Sequence, residues 1–235
     1  NLFQSGHRRY DQTELGAWDD NAAAEGCFGE DCWRYVERDY GKKPAKPVLD
    51  GEPSYEWVVQ GLHDKKQPYW KAADVRRYAY WNVFAGAAGH TYGHNSIMQF
   101  YDNLSEEGAF GARYLWSDAV HHPGGAQMIH LKRLMQSVDF THGRPAEDYL
   151  LEEQGGKYDY ISVFAGEDFL FAYTYTGRTI SLSLEHYQGK KLGAYWLDPV
   201  TGLQTFICDV TGRMQMEFRP PEREDGTDAV LVIRT

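Results

Sequence analysis

Short apolar runs separated by turns dominate the last third of the chain. From residue 158 onward, the turns between them are rich in Gly, Asp and Pro and recur at about ten-residue spacing. Regularly spaced short strands of this kind are typical of antiparallel sandwiches. The pattern therefore predicts an antiparallel β-sandwich with strands at 160–165, 169–175, 179–184, 191–197, 204–208, 214–218 and 229–233.

The N-terminal part has a different pattern. Three short apolar runs lead directly into polar side chains, within residues 1–10, 46–56 and 86–96. Between them lie apolar positions at helical spacing, and the resulting order of strand, helix, strand, helix, strand predicts a parallel sheet. The helical positions are Cys32, Tyr35, Val36 and Tyr40 in the first segment, and Val75, Tyr78, Ala79, Asn82 and Val83 in the second.

The boundary between the two patterns follows a polar segment and a helix. Residues 101–125 are predicted to form a long polar loop, and an apolar face over 126–138 predicts a helix. Residues 140–145 then break the helical pattern. We therefore expect two domains, at 1–145 and 146–235.

A candidate catalytic carboxylate lies at the end of the second apolar run. Val48 and Leu49 form a short strand, and Gly51 and Pro53 stop it on either side of Glu52. In a (β/α)8 barrel, the C-terminal ends of the strands hold the catalytic groups. Asp and Glu are also common in turns, so this segment alone leaves a solvated acidic loop as the alternative.

Three segments together resemble a known enzyme family. Phe3-Gln4-Ser5-Gly6-His7, then Asp50-Gly51-Glu52-Pro53 with Tyr55-Glu56, then residues 88–96 look like the last three strand ends of the apiosidase-like glycoside hydrolases, glycoside hydrolase family 140. The region after about residue 145 resembles the collagen-binding-type β-domain that follows their barrel. The resemblance implies the C-terminal part of a (β/α)8 TIM barrel, about strands 6–8, followed by the β-sandwich.

The resemblance also implies roles for the carboxylates. A retaining glycosidase needs a nucleophilic carboxylate and an acid/base group. Glu52 lies where the family places the nucleophile, and Asp50 is interpreted as a supporting hydrogen-bonding group. Glu56 is interpreted as a supporting residue near the substrate and is the alternative nucleophile.

Histidines and aromatic residues follow the same strand ends. His7, His90 and His94, with Tyr92 and Asn95, are predicted to line one mouth of the barrel and to contact the sugar. Trp116 is a candidate platform for a sugar ring, with a buried loop anchor as its alternative. The pair His121-His122 invites a metal site, but nothing nearby completes a ligand set, so no metal and no cofactor are expected.

The start of the chain departs from the family. It opens inside what resembles the sixth strand, so we expect a C-terminal portion completed by an N-terminal barrel segment from the same gene or a separate chain. The family's acid/base carboxylate belongs to the fourth strand end. No residue here can be assigned that role.

The composition of the chain disfavours some classes of binding partner. A formal net charge of −10 disfavours nucleic acid and anionic membranes, and the sequence holds no apolar run long enough to span a membrane. The three cysteines do not form a disulfide framework, although a local Cys27–Cys32 disulfide stays open beside the alternative of buried or free thiols.

These features lead to one functional prediction and one alternative. We expect part of a retaining glycosidase that acts on plant cell-wall or pectic polysaccharide, exported to the periplasm or surface of a bacterium. The alternative is a non-catalytic protein that binds carbohydrate or matrix through the β-sandwich domain.

Overall fold

The computed structural model describes residues 1–10, 28–223 and 226–235. The chain divides into two compact units. The first contains Asn1–Val83 and Ala87–Met128, and the second contains Phe84–Gly86 and Ile129–Thr235. The domain boundary at residues 145 and 146 stays a prediction.

The first unit is built on a parallel sheet of three two-residue strands. Strands β1 (Leu2–Phe3), β2 (Leu49–Asp50) and β3 (Gly89–His90) are ordered β1-β2-β3. Leu2 pairs with Leu49, and Asp50 pairs with both Phe3 and His90. The predicted order of parallel strands and intervening helices is confirmed.

In the described part of the chain, two longer helices lie between these strands in sequence. Helix α1 (Cys32–Tyr40) and helix α2 (Ala72–Phe84) match the segments with helical spacing. Helix α2 is largely buried, with Tyr78, Tyr80 and Trp81 fully inaccessible, because its apolar positions run around most of the helix. Cys32 is a buried free thiol, which agrees with the thiol alternative of the sequence analysis, and Cys27 lies outside the described residues.

One strand of the parallel sheet carries an exposed apolar residue. Leu2 is 72% exposed, although it lies directly beside Leu49 in the sheet. Two neighbouring leucines on one sheet face normally pack under another element. Leu2 is therefore an apolar position of the sheet that this unit leaves exposed.

Residues 101–125 are not the uninterrupted loop that the polar composition predicted. After α3 (Asn95–Met98), a 3-10 turn forms at Ala109–Gly111, and α4 (Trp116–Ala119) follows. Helix α5 (Pro123–Gln136) begins three positions before the predicted start, since proline is favoured in the first turn of a helix. Within the described residues, no helix is long and apolar enough to cross a bilayer.

The described residues of the second unit form eight antiparallel strands. A six-stranded sheet has the order β4-β5-β6-β11-β8-β9, and β10 pairs with β7. The seven predicted strands are confirmed to within two residues, and a short strand at residues 144 and 145 was missed. The strands are β4 (Arg144–Pro145), β5 (Ile161–Ala165), β6 (Phe169–Thr174), β7 (Ile180–Ser183), β8 (Gly193–Leu197), β9 (Gln204–Asp209), β10 (Gln215–Phe218) and β11 (Ala229–Arg234).

One hydrophobic core joins the two sheets of this unit. Ile161 and Val163 of the larger sheet belong to the same buried cluster as Ile180 and Leu182 of the smaller sheet. Strand β11 pairs with β6 on one side and β8 on the other, which makes it a central strand. Its five apolar residues are accordingly all buried.

Gly6 fixes the close approach of the loops that follow β1 and β2. Its amide donates to the carbonyl of Glu52 at 2.9 Å. A Cβ on Gly6 would lie 2.4 Å from the carbonyl carbon of Pro53, a distance that backbone atoms do not tolerate. Only glycine fits here without moving the loop that carries Glu52.

We expect Gly6→Ala to destabilise the protein by about 1–3 kcal/mol, because the added methyl must displace backbone. Gly41→Ala is the matched control, since Gly41 has φ −73° and its Cβ would meet nothing closer than 3.7 Å. The control should be neutral or stabilising by about 0.4–1 kcal/mol. Urea unfolding followed by tryptophan fluorescence measures both; equal stabilities of the two variants would contradict this account.

Candidate active site

Asp50 anchors the ends of the parallel strands. Its side chain is fully buried and accepts hydrogen bonds from the Ser5 hydroxyl, the Ser5 amide at 3.3 Å and the Asn82 side-chain amide at 3.0 Å. It also accepts from the backbone N–H of Glu52 at 3.2 Å. Burial raises the pKa of Asp50, and these donors oppose that shift. Asp50 therefore holds the turn in place and has no oxygen directed to solvent.

Glu52 and His7 form the most prominent polar pair of the site. Nε2 of His7 lies 3.4 Å from Oε1 of Glu52, with the imidazole almost completely buried and the carboxylate side chain 42% exposed. The hydrogen bond from His7 lowers the pKa of Glu52 below its ordinary value, against a smaller opposing effect of burial. Glu52 is thus an ionised carboxylate with one side open to solvent.

The backbone of His7 is held in an uncommon conformation to make this contact. His7 has φ 74°, and its amide donates to the Ser54 hydroxyl at 2.9 Å. Its carbonyl accepts from Gly61 at 2.7 Å. A non-glycine residue in the left-handed region costs free energy unless its surroundings impose it, and such residues cluster at functional sites.

Tyr55 lines the same site and was missed by the sequence analysis. Its ring meets the His7 imidazole edge-on at 5.3 Å, and a Cβ on Gly93 would lie 2.3 Å from it. Burial and the charge of Glu52 raise the pKa of Tyr55. The motif that contains Glu52 includes this tyrosine, so its position was available as a signal. Gln4 was also missed, although its side chain hydrogen-bonds Glu52.

Glu56 occupies a very different environment four residues away. It is buried to 1% exposure, its Oε2 accepts from the Tyr92 hydroxyl at 2.6 Å, and the backbone of Gly124 hydrogen-bonds it. Burial raises the pKa of Glu56, an effect that Tyr92, His122 and Gly124 partly oppose. Because Gly124 lies in the first turn of α5, Glu56 acts as a buried anchor for the start of that helix.

His94 pairs with a histidine that the sequence analysis considered only as a metal ligand. Its Nε2 lies 2.8 Å from Nδ1 of His122, and its Nδ1 accepts from the amide of Ser96. Burial and the neighbouring His122 lower the pKa of His94 to about 4. Among the residues the structure describes, no group of three or more His, Cys, Asp or Glu is arranged to hold a metal ion.

The structure does not bring His90 to Glu52 by any hydrogen bond or ring contact among the described residues. Strand pairing places His90 beside Asp50, and its two ring nitrogens are buried without a described hydrogen-bond partner. Burial lowers the pKa of His90 to about 4. Its ring is therefore neutral at physiological pH.

Trp116 contacts Phe100, whereas another tryptophan lies at the centre of an aromatic cluster. The Trp116 and Phe100 rings are 6.1 Å apart. Trp57, with φ 60°, contacts the half-buried rings of Tyr69, Tyr114 and His122. Neither Trp57 nor the contacting rings were identified as site residues, because these contacts join segments distant in sequence.

Two cations lie on this aromatic cluster. Nζ of Lys71 is 3.1 Å from the centre of the Trp57 ring, and the guanidinium of Arg113 is 4.0 Å from that of Tyr69. Burial and the charge of Arg113 lower the pKa of Lys71. Cations stacked on aromatic faces in this way gain about 0.5–2 kcal/mol.

Comparison with protein families gives two matches that together cover nearly the whole chain. Residues 1–142 match the model described as "Apiosidase-like, catalytic domain", and residues 145–234 match "Putative collagen-binding domain of a collagenase". A comparison with curated proteins gives no significant match.

Solved structures similar to the chain are glycoside hydrolases. One, titled "Glycoside hydrolase", is 42% identical with a TM-score of 0.91 and is matched over all of this chain and 52% of its own length. Another, a "glycoside hydrolase family 5" protein from Bacteroides vulgatus ATCC 8482, is 39% identical with a TM-score of 0.90, over all of this chain and 50% of its own. The chain thus spans about half the length of these structures.

We expect the pKa of Glu52 to lie below the ordinary range for glutamate. In the His7→Asn variant this pKa should rise, because the hydrogen bond from the imidazole is lost. Asparagine tolerates the left-handed backbone of position 7, so the variant removes the imidazole with little strain. Carboxyl-detected NMR titration measures Glu52 and Glu56 in one experiment. Glu56 should titrate above its ordinary range in both proteins; an unchanged Glu52 titration in His7→Asn would contradict the assigned cause.

Glu52 and Glu56 should also have opposite effects on stability as the pH changes. A raised folded-state pKa means that Glu56 contributes stability below about pH 4.5 that is lost as the pH rises through its folded-state pKa. Relative to the wild type, Glu56→Gln should therefore become more stable as the pH increases from 4 to 8.

Glu52→Gln provides the control with reversed sign. Because the folded-state pKa of Glu52 is lowered, its contribution is present above pH 4.5 and is lost as the pH falls through the folded-state pKa. The effect is smaller, since solvent screens a carboxylate that is 42% exposed. Thermal unfolding across the pH range measures both differences, and parallel pH dependence of the two variants would refute the assignment.

Proposed function

The chain belongs to the apiosidase-like family, and we propose that it supplies the nucleophile-bearing part of a retaining glycoside hydrolase. Glu52 is the proposed nucleophile. The observation that carries this choice is the contact between the buried imidazole of His7 and the half-exposed carboxylate of Glu52. A nucleophilic carboxylate must be ionised and reachable by an anomeric carbon, and Glu52 meets both requirements.

Glu56 is the weaker candidate for physical reasons. It is inaccessible to solvent, and Tyr92 and Gly124 already engage its carboxylate. Burial favours its protonated form, which is a poor nucleophile. Its proposed role is to position the loops that surround Glu52.

The other site residues have supporting roles in this proposal. His7 holds the Glu52 carboxylate in one orientation, and Asp50 fixes the backbone of the same turn. Tyr55 contacts His7, and Gln4 hydrogen-bonds Glu52, so both residues border the proposed nucleophile. The half-buried rings around Trp57 are the aromatic surface best suited to pack on a sugar face.

The proposed architecture is a (β/α)8 barrel in which β1, β2 and β3 are the last three strands. Their parallel order and the exposed position of Leu2 support this arrangement. The second unit, with its two antiparallel sheets, is the proposed β-sandwich. The acid/base carboxylate is assigned to a barrel segment outside these 235 residues, on the same chain or another.

Substrate and location follow from the family in this proposal. The substrate is a plant cell-wall or pectic polysaccharide, and the enzyme is exported by a bacterium. Retention of the anomeric configuration is expected if the two carboxyl groups lie about 5–5.5 Å apart in the completed barrel.

A chimaera tests the catalytic proposal. The N-terminal half of the 42%-identical glycoside hydrolase is joined ahead of Asn1, and release of reducing sugar from pectic polysaccharide is measured. Glu52→Gln should lose several orders of magnitude in turnover but retain sugar binding, because an amide cannot form the glycosyl-enzyme ester. Azide should partly restore turnover to Glu52→Gly.

Glu56→Gln in the same chimaera is the matched control and should cost much less activity. Near-normal turnover of Glu52→Gln with collapse in Glu56→Gln would transfer the role to Glu56. A folded chimaera that binds the polysaccharide but never cleaves it would instead favour a non-catalytic, carbohydrate-binding protein.

A further inference from the structure

An open groove lies on the second unit, formed entirely by residues of that unit. Its volume is about 590 Å³, within the range of pockets that hold small ligands. Four chain segments converge on it: β4, the turn after it, the β5–β6 connection and the segment before β8. The residues that matter are Arg144, Tyr149, Gly166, Glu167, His186 and Lys190.

Tyr149 is the aromatic centre of this groove. Its half-buried ring lies 5.9 Å from the exposed imidazole of His186, with the planes only 31° apart. Tyr187 supports it from the buried side at 6.1 Å. An aromatic ring held in one orientation and partly open to solvent is suited to pack on the C–H face of a sugar.

Arg144 is fixed beside this ring. Its guanidinium makes two parallel hydrogen bonds to the carboxylate of Asp148, at 2.7 and 2.8 Å, and lies 5.3 Å from the centre of Tyr149. A paired guanidinium and carboxylate offer N–H donors and an acceptor in one plane. Adjacent hydroxyls of a sugar need donors and acceptors in this combination.

Lys190 supplies a second cation that is held by a carboxylate. Its Nζ lies 2.9 Å from Oδ1 of Asp168 and donates to the carbonyl of Glu167 at 2.7 Å. The side chain is only 25% exposed, so these contacts limit its freedom. The groove thus contains two ordered charged groups as well as the ring.

The charged side chains around the groove include more carboxylates than cations. Arg144 and Lys190 are the two cations, and both already have carboxylate partners in Asp148, Asp168 and Glu167. An acidic ligand would gain little from cations that are already neutralised and would meet these carboxylates. The groove is therefore suited to an uncharged, hydroxyl-rich ligand.

The backbone of the groove is also fixed. The hydroxyl of Tyr187 donates to the carbonyls of Gly166 and Phe169, at 3.0 and 2.7 Å. A Cβ on Gly166 would lie 2.3 Å from the Phe169 ring. A groove that does not have to become ordered on binding loses less affinity to entropy.

We propose that this groove binds a neutral sugar residue of a polysaccharide, with the sugar against the solvent-exposed part of the Tyr149 ring and its hydroxyls on the Arg144–Asp148 pair and Lys190. The site is separate from Glu52 and does not depend on hydrolysis there. It would keep the protein on a polymer that it contacts elsewhere.

The full 235-residue chain is tested by affinity electrophoresis in gels containing galactan, arabinan or polygalacturonate. The wild type should be retarded by at least one neutral polymer, galactan or arabinan, more than by polygalacturonate. The retardation should change less than about twofold between 0.05 and 0.5 M NaCl, since salt screens attraction between charges but not stacking on a ring. Tyr149→Ala should weaken binding by about five- to tenfold.

Three further variants make the result specific. Tyr149→Phe keeps the ring and should retain most of the binding. Tyr158→Ala removes an exposed tyrosine of the same unit that does not line the groove, and it should bind like the wild type. Lys190→Met should weaken binding severalfold and provides the test if Tyr149→Ala fails to fold, as judged by circular dichroism.

Three results would overturn the proposal. In the first, neither neutral polymer retards the wild type. In the second, Tyr149→Ala and the wild type are retarded equally. In the third, the wild type prefers polygalacturonate and this preference disappears in salt. None of these concerns turnover, so they are distinguishable from failure of the catalytic proposal.

Discussion

The buried carboxylate of Asp50 is the constraint on which the Glu52 site depends. Removing a charged group from water is costly unless hydrogen bonds replace its hydration. Here Ser5, Asn82 and the amide of Glu52 provide them, from the loop after β1, from α2 and from the turn after β2. Satisfying one carboxylate therefore fixes three segments, and the position of the Glu52 backbone is a consequence.

The two glutamates that follow show how local environment separates the roles of identical side chains. Glu52 has a buried imidazole on one side and solvent on the other, which favours its ionised form. Glu56 is enclosed by Tyr92 and the start of α5, where burial favours its neutral form. Four residues of sequence thus separate a group suited to chemistry from a group suited to anchoring a helix.

Local pattern predicted the elements well and the contacts between them poorly. The strands of the second unit were predicted from short apolar runs separated by turn residues. Helices α1 and α2 were predicted from apolar positions at helical spacing. The pairing of His94 with His122, and the position of Trp57, depend on loops that meet only in the folded chain. Helix α4 was missed because a segment of four residues is too short to give a periodic signal.

Charge places a further condition on substrate recognition. A formal net charge of −10 disfavours the approach of an acidic polysaccharide, but salt at physiological strength screens this field beyond about 8 Å. Recognition of an acidic polymer would then depend on cations at short range. Lys71 on Trp57 and Arg113 on Tyr69 are such groups, although the charges of Asp74 and Glu56 already act on Lys71. The groove beside Tyr149 differs, because both of its cations, Arg144 and Lys190, are already paired with carboxylates.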